Sequence, residues 1–148
     1  MKLHDLTHTF VEFYKEIKDA ADALKLGRFW SQLFEANPAF YRQRLDEWNK
    51  SGEDVEANLL TEFADFASYQ DKFTQLQTTL SQELETAIAS FKQAFPDFDT
   101  NFDVYFVHSL KSMNGGMREL DGKSTLIFGL DMMARFHAWE DDTPFFPS

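Results

Sequence analysis

The 148-residue chain has no cysteine and few cations. The missing thiols exclude disulfides, thiolate metal sites and cysteine nucleophiles. Only 14 lysines and arginines stand against 25 aspartates and glutamates, which leaves a formal net charge of -11. Nucleic acids and anionic membranes select positively charged protein surfaces, so we expect neither of them as a partner.

Two kinds of apolar segment are also missing. No run approaches the ~20 apolar residues that cross a membrane, and the start of the chain has no apolar signal-peptide core, which predicts a cytoplasmic protein. The composition is nonetheless 43% hydrophobic and includes 17 phenylalanines. That content is enough for the core of a single domain spanning residues 1–148.

Helical periodicity dominates the first part of the chain. Apolar residues recur three or four positions apart over residues 10–24, 40–48 and 55–95. Thr9 begins a capping-box pattern before the first stretch, and Ser68 begins another that divides the last stretch. The pattern predicts an N-terminal bundle of four to five helices over residues 1–96.

The remaining residues, 97–148, have the pattern of strands and a linker. Residues 104–107 and 124–130 are apolar and rich in β-branched or aromatic side chains, which predicts two strands, and Asp121-Gly122 is a turn signal. Residues 112–116 are predicted as a loop, either an anion-binding nest or a plain connection. Helices followed by strands favour an α+β fold with a small β-hairpin or a partial antiparallel sheet.

Few residues are candidates for chemistry. His4 and His8 have the spacing of a zinc H-E-x-x-H motif, but they precede the first helix and we expect an exposed chain end there. His108 and His137 are isolated, which predicts structural or surface histidines. Residues 140–142 are acidic and could bind calcium or form a solvated charged run. We therefore predict no catalytic residue and no metal ligand, and we expect the chain to be inactive.

Several segments occur in a familiar order. They are Gly27-Arg28-Phe29-Trp30, Phe40-Tyr41 with Arg44, Ala94-Phe95-Pro96, residues 104–107, Gly115-Gly116 and Ile127-Phe128-Gly129-Leu130-Asp131. In this order they resemble a bacterial family of predicted zinc-dependent proteases, which are zincin-like and carry an H-E-x-x-H helix. The resemblance covers about residues 10–147. It implies a metallopeptidase in which zinc-activated water attacks a peptide bond, with zinc held only in the complete protein.

The resemblance also implies that the chain is an N-terminal portion. Residues 132–148 would be the linker that leads to the metal motif, and Ser148 has the character of a helix N-cap. Trp139, Phe145 and Phe146 would then form an exposed aromatic tail. We expect such an apolar patch to promote self-association.

The second predicted strand has two interpretations. The resemblance implies an exposed edge strand, formed by Thr125, Leu126, Ile127, Phe128 and Gly129, that pairs with an extended peptide or protein substrate. Nearly continuous apolar residues favour burial on both faces instead. On the first interpretation the chain is the scaffold and substrate-cleft portion of a zinc metallopeptidase. The alternative function is a non-enzymatic, acidic, helical protein-interaction module.

Overall fold

The computed structural model describes residues 2–97 and 102–136, and these residues form an α+β fold, as the sequence predicted. The helices are α1 (Thr7–Ile17), α2 (Asp22–Arg28), α3 (Pro38–Lys50), α4 (Val55–Asp65), α5 (Gln70–Ala94) and α6 (Leu130–Phe136). The strands are β1 (Lys2–Asp5), β2 (Asp103–Val107), β3 (Gly115–Leu120) and β4 (Lys123–Gly129). A π-helical segment (Phe29–Phe34) follows α2, and a 3₁₀ turn (Phe66–Ser68) separates α4 from α5.

The four strands form one mixed sheet in the order β1-β2-β4-β3. Strand β2 lies parallel to both β1 and β4, whereas β3 is antiparallel to β4. The prediction of a simple hairpin or an antiparallel sheet was therefore wrong, because β3 and β4 are only one side of the sheet. The parallel pairs join segments that are distant in the sequence, and no local pattern shows which distant strand a segment will pair with.

The N-terminal residues form a strand rather than a frayed end, although Lys2 and Leu3 are exposed as the sequence predicted. Residues Lys2–Asp5 pair with β2, and the Asp5 carboxylate accepts hydrogen bonds from the Thr7 backbone N–H (2.9 Å) and from the amide of Gln77 on α5 (2.6 Å). Helix α1 therefore begins at Thr7, so Thr9 lies within the helix and does not cap it.

The first predicted helix is interrupted, whereas the predicted break in the last one is confirmed. Helix α1 ends at Ile17, and Gly27 lies within the separate helix α2. Helix α2 buries none of its side chains, but the π-helical segment after it buries Phe29 and Leu33. The interruption turns the chain so that these two side chains reach the core.

Phenylalanines dominate the core that joins the helices to the sheet. Phe10 of α1, Phe66 of the 3₁₀ turn and Phe73 of α5 lie within ring-contact distance of one another and are fully buried, as is Phe106 of β2. Each buried phenylalanine stabilises the fold by about 1.5–3 kcal/mol. No helix among the described residues is both long enough and apolar enough to cross a membrane.

Candidate functional site

Strand β3 forms one edge of the sheet among the described residues. It enters β4 through Asp121 and Gly122, whose φ angles are 51° and 78°. Positive φ at both positions is typical of the two-residue turn that closes tight hairpins. The turn places Leu120 opposite Lys123 and sets the register of every later pair along β3.

Alternate residues of β3 direct their backbone groups away from β4. The Gly129 N–H donates to the Asn114 carbonyl (2.8 Å), so the pair at the far end of the hairpin is hydrogen-bonded. Hydrogen-bonded and non-bonded pairs alternate in an antiparallel ladder. Gly115, Met117 and Glu119 therefore occupy the non-bonded positions, with N–H and C=O groups facing outward. No other described residue pairs with these groups, and the Met117 side chain is 57% exposed.

Strand β4 lies inside the sheet, so the expectation of an open edge over residues 125–129 was wrong. It bonds to β2 on one side and to β3 on the other, which uses its backbone groups in both directions. Thr125, Ile127 and Gly129 are buried, and Leu126 and Phe128 are half-buried. Cover on both faces explains the nearly continuous apolar sequence. A contribution of these five residues to a substrate cleft remains a prediction.

A groove of about 460 Å³ lies between helix α3 and the end of the β3–β4 hairpin, and we call it the α3 groove. Its lining residues are Ala39, Arg42, Gln43, Asp46, Glu47, Lys50, Glu119, Leu120 and Asp121. The groove therefore adjoins the turn end of β3. An extended segment that added to the edge of β3 would have helix α3 as a neighbour.

The loop of residues 108–114, which leads from β2 to β3, is anchored by a buried carboxylate. Asp131 lies in the first turn of α6 and is fully buried. It accepts hydrogen bonds from the backbone N–H groups of Ser109 (2.7 Å) and Lys111 (2.9 Å) and from the Ser109 hydroxyl (2.8 Å). Hydrogen bonds to a buried charge are the strong ones, so Asp131 holds the loop against the ends of β2 and β4.

The same loop carries strained backbone. Leu110 and Lys111 have φ angles of 53° and 64°, which side chains other than glycine rarely adopt. The Arg44 guanidinium on α3 donates to the Leu110 carbonyl (3.0 Å) and the Lys111 carbonyl (3.3 Å). Such conformations persist where the surroundings determine them fully. Arg44 holds that conformation through the loop's carbonyl groups, and Asp131 holds it through the N–H groups.

Gly129 allows the loop to approach the end of β4. A Cβ atom at this position would lie 1.9 Å from the Met113 carbonyl oxygen and 2.9 Å from the Ser109 hydroxyl. The first contact is with backbone, so no side-chain rotation would relieve it. Only glycine therefore fits, and the path of the loop into β3 depends on it.

His108 is a structural histidine, one of the two interpretations that the sequence allowed. Its ring is 1% exposed and stacks on Phe10 with centroids 4.1 Å apart. The Leu110 N–H donates to Nδ1 (3.2 Å), so the neutral ring carries its proton on Nε2, 2.8 Å from the Tyr69 hydroxyl oxygen. Burial lowers the pKa of His108, despite the opposing effect of Asp131. The ring is therefore neutral and closed to solvent.

A serine, an aspartate and a histidine lie close together here, but they do not form a catalytic triad. In a triad the imidazole lies between the hydroxyl and the carboxylate. Here the Ser109 hydroxyl donates directly to Asp131, and His108 Nδ1 lies 3.8 Å from the other carboxylate oxygen. Ser109 is fully buried. These groups hold the loop and offer no exposed nucleophile.

A second buried polar cluster lies behind the loop. Arg135 of α6 donates to the Glu62 carboxylate (2.8 Å) and to the Tyr69 hydroxyl oxygen (3.0 Å), and its guanidinium stacks over the Tyr69 ring. The Glu62 side chain is only 5% exposed. Burial raises the pKa of Tyr69, so the phenol is protonated at neutral pH. The cluster connects α4, α6 and the residue that precedes α5 to the site through His108.

The structure places His4 and His8 on different elements. His4 lies on β1, stacks on Tyr105 and bonds to Asp103 (3.0 Å), whereas His8 lies on α1 with a side chain that is 75% exposed. Within the described ranges, no group of three or more histidine, cysteine or acidic side chains is placed to hold a metal ion. His137, the acidic residues 140–142 and the aromatic tail at Trp139, Phe145 and Phe146 lie outside the described residues.

Two parts of the site were missed by the sequence analysis. One is strand β3: the predicted loop of residues 112–116 includes its first two residues, and residues 117–120 carry no prediction, although the signal at Asp121-Gly122 implies a partner strand before it as well as after it. Asp131 was assigned no role. Its position directly after a strand and in the first turn of a helix was the available signal, since acidic residues favour helix N-termini.

No family model, curated protein or solved structure matches this chain. The function must therefore be argued from the geometry of the site itself.

Proposed function

We propose that this protein binds an extended peptide segment along the outer edge of β3. The observation that supports the proposal is the row of outward backbone groups at Gly115, Met117 and Glu119, beside the open α3 groove. A peptide that adds to a sheet edge gains affinity from main-chain hydrogen bonds and selectivity from nearby side chains. The anchored loop before β3 lowers the entropic cost of binding, because the edge is already in its paired conformation.

The resemblance to predicted zinc-dependent proteases suggests what the bound peptide is for. In such an enzyme the peptide would be a substrate, and zinc would activate the water that attacks it. The described residues would then supply the scaffold and part of the substrate cleft. We propose this peptidase role as the first candidate.

A non-enzymatic interaction module is the second candidate. It is favoured by the structural use of the buried titratable groups, since Asp131, His108, Glu62 and Arg135 all serve structural contacts. Such a module would bind the same kind of extended segment and release it unchanged. A His-Glu-x-x-His motif encoded downstream in the same reading frame would favour the peptidase, and a frame without one would favour the module.

The binding proposal can be tested with the backbone of a single residue. The probe is a library of soluble seven-residue peptides, added to the ¹⁵N-labelled protein while backbone amide shifts are recorded. We expect the amides of Gly115, Met117 and Glu119 to shift together on addition of the library. Met117→Pro removes an outward N–H without removing a bond to β4, so it should abolish these shifts.

The matched control is Met117→Ala, which shortens the same side chain but keeps the N–H. We expect it to retain peptide binding with at most a severalfold loss of affinity. Equal binding by Met117→Pro and the unaltered protein would contradict the proposal, and so would peptide-induced shifts confined to another surface.

A further inference from the structure

The α3 groove beside β3 is acidic. Four carboxylates line it, namely Asp46, Glu47, Glu119 and Asp121, against two cations, Arg42 and Lys50. The chain as a whole carries a formal net charge of -11. A groove lined by an excess of one charge attracts ligands of the opposite sign and raises their association rate.

Three of these carboxylates are available to a ligand. Glu47 is engaged by Arg44, 3.0 Å away on the same helix. Asp46, Glu119 and Asp121 are exposed and form no ion pair with any other residue in the described part of the chain. A cationic side chain in the groove would therefore find a carboxylate without displacing an existing partner.

The alternation of β3 sets where such a cation would lie. Successive side chains of a strand point to opposite faces, so Met117 and Glu119 share one face and Arg118 lies on the other. In a strand paired with β3, residues two positions apart lie beside Met117 and Glu119. The first neighbour is an exposed apolar side chain and the second is an unpaired carboxylate.

We infer that the preferred ligand is a basic extended peptide with one apolar residue and one lysine or arginine two positions apart. The apolar side chain packs on Met117, and the cation pairs with Glu119, the groove-lining carboxylate on the same face of β3. A cation at the intervening position would face Arg118 and is disfavoured. This inference rests on the proposed peptide binding at β3 and adds the chemical class of the peptide.

The test compares two fluorescein-labelled seven-residue peptides by fluorescence polarisation. Both consist of threonine and serine with one valine, and they differ only in a lysine or a glutamate placed two positions after the valine. At low ionic strength we expect the lysine peptide to bind at least about tenfold more tightly. The preference should shrink to about twofold in roughly 0.5 M sodium chloride, because salt screens exposed charges.

Variants of the protein separate local pairing from overall charge. Glu119→Gln should reduce the preference for lysine severalfold. Glu85→Gln removes the same charge from an exposed position on α5 outside the groove and should leave the preference unchanged. Equal effects of the two variants would overturn the assignment to Glu119.

The failure of this inference is distinguishable from the failure of peptide binding itself. If both peptides bind equally and Met117→Pro abolishes both, the edge binds peptides but the preference for basic ones is refuted. If neither peptide binds, both proposals are refuted. Tighter binding of the glutamate peptide would also overturn the inference.

Discussion

Replacing Gly129 with alanine is the most direct test of how the loop of residues 108–114 is placed. The added Cβ would lie 1.9 Å from the Met113 carbonyl oxygen, so the loop or the end of β4 must move. Movement would strain or break the Gly129 N–H bond to the Asn114 carbonyl, now 2.8 Å. Both effects act at the point where the loop enters β3.

The size of the effect follows from these two contributions. Forcing an extra methyl group into a closely packed site costs about 1–3 kcal/mol. Losing a buried backbone hydrogen bond adds about 1 kcal/mol. We therefore expect Gly129→Ala to lower the free energy of unfolding by about 2–4 kcal/mol, measured by urea denaturation with circular dichroism.

Gly27→Ala is the matched control, because it makes the same chemical change in open space. Gly27 lies within helix α2, and a Cβ there would meet no atom within 4 Å. Alanine should stabilise that helix by about 0.5–1 kcal/mol. The two substitutions are therefore expected to change stability in opposite directions.

Hydrogen exchange provides a second measurement on the same variant. The N–H groups of Ser109 and Lys111 bond to Asp131 in the intact loop, and Gly129→Ala should make both exchange faster. A variant whose stability stays within about 0.5 kcal/mol of the unaltered protein, with these amides still protected, would refute the close approach of the loop to β4.

Three further changes test the polar groups around the site. Asp131→Asn weakens three charge-assisted hydrogen bonds, so it should lower the free energy of unfolding by about 2–4 kcal/mol in urea titrations. A loss below about 0.5 kcal/mol would contradict the anchoring role of Asp131. Burial lowers the pKa of His108, so below about pH 6.5 the unfolded chain binds more protons and stability should fall with decreasing pH. His108→Gln should remove up to about 1.4 kcal/mol per pH unit of that dependence, and a pH profile identical to that of the unaltered protein would count against the assignment. Arg135→Ala leaves Glu62 buried without its cation, so it should lower the free energy of unfolding by about 3–5 kcal/mol. The double variant with Glu62→Leu should recover part of that stability, because the two residues are coupled.

The local elements of the fold were largely predictable from the chain. The apolar periodicities over residues 40–48 and 55–95, the helix break at the 3₁₀ turn, strands β2 and β4 and the turn at Asp121-Gly122 agree with the structure. Each of these depends on residues within a few positions of one another. Side-chain period, capping and turn preferences are local properties, and they are visible in any window of the sequence.

The arrangement of those elements was decided by tertiary contacts. Lys2 pairs with Asp103, about a hundred residues later, and nothing near Lys2 indicates that partner. Strand β4 lies inside the sheet because β2 and β3 pair on either side of it, so the open edge falls on β3. Apolar alternation shows which residues are buried, but it does not show the order of strands in a sheet.

The candidate site shows the same division. The acidic composition and the turn at Asp121-Gly122 could be read from the amino acids alone. The anchoring of the loop by Asp131 and the requirement for glycine at residue 129 could not, because each depends on atoms brought together from different elements. Sequence determines which groups are available, and only the packed chain decides which of them meet and which backbone is left unpaired.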